Sequence, residues 1–244
     1  GGLQILTSAE GESVQTGRLN ADPDPNCSGG GQSRDLSRMA ISRDDRYLAF
    51  SRVGCVLVWD TTTLERVAVK NHALVSDLMF RSDGALIIAG RDGSAGKGSS
   101  IEVWDWKERK TAALIHPQAD EARPDVPWRL TQSADGRRIG LLSDALDLSA
   151  TLLIRDHDLQ TEIGHLQVGD SIAAALSPDG SRAVTVSAKN PNVQVWDTLR
   201  ATLLLTLIDT EGHSSVRFTK SGQIIAGRWS GGVTIWDSRH PISR

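Results

Sequence analysis

Residues that could do chemistry are present, but their spacing does not fit a catalytic or phosphate-binding site. The run GRDGSAGKGSS at 90–100 has the composition of a phosphate-binding loop. Such a loop needs Ser or Thr directly after its Lys to hold Mg²⁺, and the N-terminus of a helix to complete the anion site. Here Gly98 follows Lys97, and the next residues, IEVWD, have the pattern of a strand. We predict a turn at this run.

The six histidines and two cysteines do not form a recognisable metal-binding or nucleophilic motif. No two histidines have a ligand spacing such as His-x3-His, and the sequence has no nucleophile elbow. Cys27 and Cys55 are too few for a disulfide framework or a metal quartet. A bridge between them is one alternative, and we favour free thiols. The sequence therefore predicts no catalytic residue, no metal and no cofactor.

Short strand-forming runs recur along the chain instead, and four of them end in Trp-Asp. The runs VLVWD, IEVWD, VQVWD and VTIWD, with a degenerate copy LLIRD, recur roughly every 40 to 50 residues. A further partial copy, LQILT, lies near the start. β-branched residues in alternation are typical of half-buried strands. The repeated positions are Trp59, Asp60, Trp104, Asp105, Asp156, Trp196, Asp197, Trp236 and Asp237.

A second landmark precedes each Trp-Asp pair at a steady distance. It is a turn such as SPDG at 177–180 or SADG at 133–136. Ser and Asp side chains bond the local backbone in such turns, and Gly takes the positive φ that they need. An apolar strand follows each of these turns, and a polar turn with a further strand follows the Trp-Asp pairs at 59–60, 104–105 and 196–197. The sequence therefore predicts units of four strands.

Four strands per unit, with Trp-Asp at the third, are typical of propeller blades. On these two landmarks the chain resembles the WD-repeat β-propellers over nearly its whole length. The resemblance implies an all-β fold of about five complete blades plus a partial one. We expect one domain over 1–244, with units at about 1–19 (partial), 36–70, 74–115, 126–166, 171–207 and 213–238, the last without its outer strand.

The resemblance also implies a role for each repeated residue. The Trp packs between neighbouring sheets, and the Asp accepts backbone N–H bonds in the turn after the third strand. Arg155 replaces the Trp in one unit and should weaken the packing there. The family often has a buried network of His, Ser or Thr, Asp and Trp, which is eroded here: Gly212-His213 survives, but Ser230 stands at the matching turn position. We expect His213 to make a lone loop-to-strand contact.

The two ends of the sequence also match parts of a unit. Leu3–Leu6 aligns with a third strand and Val14–Leu19 with a fourth, so we expect a fragment of a larger bacterial-type propeller protein. We expect an open or incomplete ring, cut from a native ring of about seven or eight blades. In an alternative, Val14–Leu19 would pair beside Val233–Trp236 and leave Leu3–Leu6 redundant.

The charge and hydropathy of the sequence limit the classes of partner that the protein can bind. The net charge of −3 and the pI near 6.1 argue against nucleic-acid binding, which needs a basic surface. No run of apolar residues is long enough for a membrane span. We expect a cytoplasmic protein.

Four insertions, at 20–34, 91–100, 116–127 and 143–150, are predicted to emerge at one end of the sheets, with the turns that join second to third strands. We call this end the elaborated face. Its loops are net acidic, which favours a basic peptide or protein partner, and a solvated fringe without function is the alternative. The candidate acidic contacts are Asp120, Glu121, Asp125, Asp144 and Asp147.

Two tryptophans outside the repeated positions are candidates for partner contact at the same face. Trp229 lies beside Arg228 in the turn GRWSGG, and an exposed Trp next to Arg is typical of an interface hot spot. Trp128 opens an inner strand after Pro127. Packing against a neighbouring sheet is the alternative for both, and we favour it for Trp128.

These features favour a non-catalytic interaction scaffold that presents loops to a protein or peptide, as the regulatory module of a larger signalling protein. The runner-up is a propeller enzyme, or an envelope-associated propeller, that binds a metal or small ligand in the central channel. The inner strands, which read SRMAI, DLMF, IAAAL and SVRF, offer little chemistry for that second function.

Overall fold

A computed structural model of the chain describes residues 3–7, 15–19, 38–52, 54–91, 98–117, 126–143 and 150–237. Throughout these ranges the chain forms strands and turns, with no helix. Nothing in them could therefore cross a membrane as a helix. The chain divides into two compact units, Gly1–Leu114 and Ile115–Arg244, and each is described by itself.

The first unit contains a two-stranded sheet and two four-stranded sheets, all antiparallel. Strands β1 and β2 form the short sheet, β3 to β6 the second and β7 to β10 the third. Their bounds are β1 Leu3–Thr7, β2 Gln15–Leu19, β3 Met39–Ile41, β4 Tyr47–Arg52, β5 Cys55–Asp60, β6 Arg66–Asn71, β7 Leu74–Phe80, β8 Leu86–Arg91, β9 Ser100–Asp105 and β10 Lys110–Ile115.

The second unit contains two four-stranded sheets and one of three strands, again antiparallel with neighbours in chain order. Strands β11 to β14, β15 to β18 and β19 to β21 form them. Their bounds are β11 Trp128–Gln132, β12 Arg138–Ser143, β13 Ala150–Asp156, β14 Glu162–Gly169, β15 Ser171–Leu176, β16 Arg182–Ser187, β17 Val193–Asp197, β18 Thr202–Leu207, β19 His213–Phe218, β20 Ile224–Arg228 and β21 Val233–Trp236.

The fold class predicted from the repeats is confirmed. The described residues are all-β, and each predicted unit corresponds to one sheet whose strands follow one another in sequence, as in a propeller blade. Within the described residues the last sheet has three strands. The alternative that left Leu3–Leu6 redundant is wrong, because β1 pairs with β2 in a register that sets Leu3 opposite Leu19.

Three of the four repeated tryptophans pack where neighbouring sheets meet. Trp104 is 2% exposed and belongs to an apolar cluster with Val58 and Ala68 of the preceding sheet. Trp196 belongs in the same way to a cluster with Leu166. Trp59 is also buried, but its cluster consists of residues of its own sheet. Trp236 is partly exposed, and it packs against a cluster that spans its own sheet and the preceding one. The predicted packing between sheets is therefore shown for Trp104, Trp196 and Trp236.

The polar ends of these indoles differ in their hydrogen bonding. Trp196 donates its Nε1–H to Thr185 Oγ1 at 3.0 Å, which is one link of the network expected from the family. The Nε1–H of Trp59 is buried and has no acceptor among the described residues. Arg155, which stands in place of a Trp, donates from Nη1 to the carbonyl oxygen of Leu159 at 2.9 Å. Its predicted weakening of the packing stays a prediction.

In three of the four complete Trp-Asp pairs the Asp accepts backbone hydrogen bonds, as predicted. In three turns one carboxylate oxygen accepts the N–H groups two and three residues further on, at 2.8–3.2 Å. Local bonds of this kind satisfy N–H groups that no strand partner reaches. The three residues are Asp60, Asp105 and Asp197.

The turns between first and second strands repeat one hydrogen-bonded arrangement. In the SPDG turn, Ser177 Oγ donates to Asp179 at 2.6 Å and accepts the N–H of Arg182 at 3.0 Å. Ser133 makes the same pair of bonds in its own turn. Gly180 has a φ of +68°, which favours glycine at that position. The second sequence landmark is therefore a turn, as expected.

These bonds shift the acid–base equilibria of the turn carboxyls. The hydroxyl of Ser177, with the N–H of Ser181, holds the pKa of Asp179 below its usual value. Backbone N–H groups do the same for the pKa of Asp60 and of Asp197. A lowered folded-state pKa stabilises the fold above the unfolded pKa, and this contribution is lost as the pH falls through the folded value.

We therefore expect the thermal midpoint to fall as the pH drops below about 4, the usual pKa range of Asp. Replacing Asp60 and Asp197 together by Asn should make this decline shallower, because Asn does not ionise. The measurement is the midpoint by circular dichroism between pH 6 and pH 2.5, values chosen to bracket about 4. An equal slope in the variant and the parent chain would contradict the assignment.

Candidate functional site

The exposed indole of Trp229 is the centre of the candidate site. It lies in the turn between β20 and β21 and is 64% exposed. The remaining aromatic side chains of the described residues are buried or partly buried. Trp128 is 1% exposed, so it packs inside the protein, as the favoured alternative held. The structure therefore keeps Trp229 and not Trp128 as a contact candidate.

The turn that carries Trp229 is fixed by its backbone. The N–H of Trp229 donates to the carbonyl oxygen of Gly212 at 3.1 Å, and the N–H of Arg228 donates to that of Gly232 at 3.1 Å. Gly231 and Gly232 have φ values of +96° and +83°, a conformation that other residues rarely adopt. The side chain therefore projects from a tight, hydrogen-bonded turn.

The indole also rests against the segment that leads into β19. A Cβ atom placed on Gly212 would lie 3.1 Å from Trp229 Cδ1, which is closer than almost all real contacts of that kind. Glycine at 212 thus lets the ring approach the backbone. Because this contact covers one edge of the ring, the exposed part of Trp229 has a defined orientation.

The side chain of Arg228 stabilises the turn through contacts with three neighbouring side chains. Its Nε donates to Thr234 Oγ1 at 2.8 Å. The guanidinium also lies 3.7 Å from Glu211 Oε2 and 4.0 Å from Asp209 Oδ2. Two carboxylates and a hydroxyl therefore engage one cation. The sequence predicted that Arg228 and Trp229 both contact a partner. In the structure Arg228 stabilises the turn, and Trp229 is the exposed side chain.

Asp209 connects this cluster to the sheet. Burial by itself raises the pKa of the Asp209 carboxyl, but bonds from the N–H groups of Thr210 and Glu211 and from Thr234 Oγ1 outweigh it. The pKa lies below its usual value as a result. Asp209 is therefore an anion that fixes the end of β21.

The loop-to-strand contact predicted for His213 is present, but the ring has further neighbours that the sequence did not indicate. Its ring is 1% exposed, and Nδ1 lies 3.0 Å from the carbonyl oxygen of Pro191, which can only accept a hydrogen bond. Nε2 lies 3.3 Å from Asp209 Oδ2, although the direction of the ring gives no hydrogen bond there. The ring also meets Trp236 edge-on, with centroids 5.7 Å apart. His213 therefore joins the Asp209 cluster to the packed indole.

The predicted acidic contacts of the elaborated face cannot be placed with Trp229. Asp120, Glu121, Asp125, Asp144 and Asp147 lie outside the described residues. The carboxylates that the structure does bring to the Trp229 turn are Asp209 and Glu211, which the sequence reasoning missed. The polar run DTEGH at 209–213, which leads into β19, is the sequence feature that could have indicated these two carboxylates.

A groove of about 860 Å³ lies in the same unit, toward the opposite end of the strands from Trp229. It runs between β18 and β21, where the last sheet has no fourth strand within the described residues. Its lining combines apolar side chains with a few charges at one end: Leu205, Leu207, Phe218, Ile235, Trp236, Arg182, Lys220 and Asp237.

The prediction of free thiols is wrong for Cys55. It is disulfide-bonded and fully buried, while Cys27, the other cysteine of the chain, lies outside the described residues. Within the described ranges, no three His, Cys, Asp or Glu side chains come together in a way that could hold a metal ion.

Comparison with known proteins does not assign a family to this arrangement. No model of a known protein family matches the sequence. No curated protein matches it at a significant level.

Thr234 offers a test of how the cluster is held. Thr234→Val keeps the shape of the side chain but removes the hydroxyl that bonds both Arg228 and Asp209. We expect the free energy of unfolding to fall by about 1 kcal/mol for each hydrogen bond lost, measured by urea denaturation. Thr206→Val, at an exposed position of β18, is the matched control and should change stability little. Equal effects of the two substitutions would show that the cluster is not structural.

Proposed function

We propose that this chain is a non-catalytic interaction module of the WD-repeat propeller type, and that Trp229 is its main contact with a protein or peptide partner. The observation that carries the proposal is the 64% exposure of an indole on a turn fixed by hydrogen bonds. The repeated sheets, indoles and turn aspartates support the family, and the regulatory role in a signalling protein rests on resemblance.

A fixed, exposed indole suits binding for two physical reasons. Tryptophan buries a large apolar area and carries an N–H donor, so it contributes more at interfaces than an aliphatic side chain does. A turn that is already ordered loses little conformational entropy when a partner binds. Ile208, directly before Asp209, is 82% exposed and adds an apolar side chain close in sequence to this cluster.

We expect Trp229→Ala to weaken partner binding by about 30-fold or more, the loss typical of a hot spot. The thermal midpoint should stay close to that of the parent chain, because the ring is exposed. The measurement is quantitative capture of the partner on immobilised chain, followed by titration with the purified partner.

Leu199→Ala is the matched control. Leu199 is 73% exposed and lies in the turn that joins β17 to β18. This turn is at the opposite end of the strands from the Trp229 turn. Its substitution should leave capture unchanged. Equal losses in the two variants, or a large drop in the thermal midpoint of Trp229→Ala, would contradict the assignment of Trp229 as a contact residue.

One observation favours the second candidate, an envelope-associated propeller that binds a metal or small ligand in its central channel. Cys55 is disulfide-bonded, and disulfides persist mainly in oxidising compartments. The cytoplasmic location expected from the sequence stays a prediction, and this bond counts against it.

Alkylation in cells lysed directly into denaturant, so that the reagent reaches the buried Cys55, distinguishes the two locations. We expect no thiol to be modified without reductant and both cysteines to be modified after reduction, as read by intact mass. Two alkylated cysteines before reduction would favour the cytoplasm and remove the support for the second candidate.

A further inference from the structure

We propose that the partner presents a cationic side chain, Lys or Arg, against the exposed face of Trp229, with the carboxylate of Glu211 as its counter-ion. This inference rests on the proposed function and adds the chemistry of the partner at that contact.

The charges around the turn are the first observation. Asp209 and Glu211 supply two carboxylates close to Trp229, and Arg228 supplies one guanidinium between them. The cluster therefore keeps an excess of negative charge beside an exposed indole. A cation approaching the ring meets attraction from both the carboxylates and the π face.

The second observation is that Arg228 is already engaged. Its Nε donates to Thr234 Oγ1, and its guanidinium faces Glu211 and Asp209, with 31% of the side chain exposed. An anionic partner would have to compete with two internal carboxylates for this one cation. Arg228 is therefore a positioning residue, and the arrangement disfavours a partner with a carboxylate or phosphate at this contact.

The third observation places Glu211 within reach of the same ligand. Its side chain is 44% exposed, and Oε2 accepts a hydrogen bond from Ser230 Oγ at 2.5 Å. Ser230 follows Trp229 directly, so this bond holds the carboxylate next to the indole. Each carboxylate oxygen can accept more than one bond, which leaves Glu211 able to bind an ammonium or guanidinium above the ring.

A tripeptide titration tests the charge of the ligand. The probes are acetyl-Gly-Arg-Gly-amide, its citrulline counterpart, which is neutral and nearly the same shape, and the Glu counterpart. The readout is the indole N–H signal of Trp229 in ¹⁵N-labelled full chain, assigned by its loss in Trp229→Phe. We expect the Arg tripeptide to shift this signal with an affinity at least about fivefold higher than citrulline, a difference that salt reduces.

Glu211→Gln tests the counter-ion, because it keeps an acceptor for Ser230 but removes the charge. We expect the preference for Arg over citrulline to disappear in this variant. Glu65→Gln, an exposed Glu in the other compact unit, is the control and should keep the preference. The Trp229 signal should keep its position in both free variants if the turn is intact.

Several outcomes would overturn the inference. They are equal affinity for the Arg and citrulline tripeptides, tighter binding of the Glu tripeptide, a retained preference in Glu211→Gln, and no shift up to about 10 mM, where millimolar affinities still register. None of these changes the result of partner capture with Trp229→Ala. Loss of capture in that variant, together with a failed tripeptide test, would leave the interaction module standing and remove its cationic ligand.

Discussion

Backbone N–H groups in the tight turns of this chain need acceptors that no neighbouring strand can offer. Short side chains supply them: in three Trp-Asp pairs the Asp accepts two N–H groups, and the Ser of the turns at 133–136 and 177–180 accepts one. Because a buried or strained turn without these acceptors would lose stability, the reversal of the chain at each strand end depends on them. The positions of these turns in the sequence therefore determine that consecutive strands pair antiparallel within each sheet.

The regular part of the fold could be predicted because its causes are local. A β-branched run, an Asp two residues from the N–H groups it bonds, and a Gly with positive φ all lie within one short stretch of sequence. The packing of Trp104 and Trp196 could also be predicted, because large aromatic side chains in alternating strands turn toward the core. The division into sheets and the order of the strands within each sheet followed from the same repeats.

The candidate site was predictable in part. Trp229 stood out because it breaks the repeat inside a Gly-rich turn, which favours exposure. Its support did not stand out, because three separate parts of the sequence supply it: Asp209 from the segment between β18 and β19, Arg228 from β20 and Thr234 from β21. The carboxylate neighbour of His213 was missed for the same reason, since it lies outside the family motif. The burial of Trp128 agrees with the packing alternative that the sequence favoured.

The outer edge of β21 has a further consequence for the behaviour of the chain in solution. Val233 and Ile235 are 60% and 56% exposed, and within the described residues this strand pairs on one side with β20. An apolar strand with free backbone groups on one side is a template for further strands. Where this edge is uncovered, concentrated samples of the protein will tend toward edge-to-edge association, and a charged residue at the outer edge would protect against aggregation.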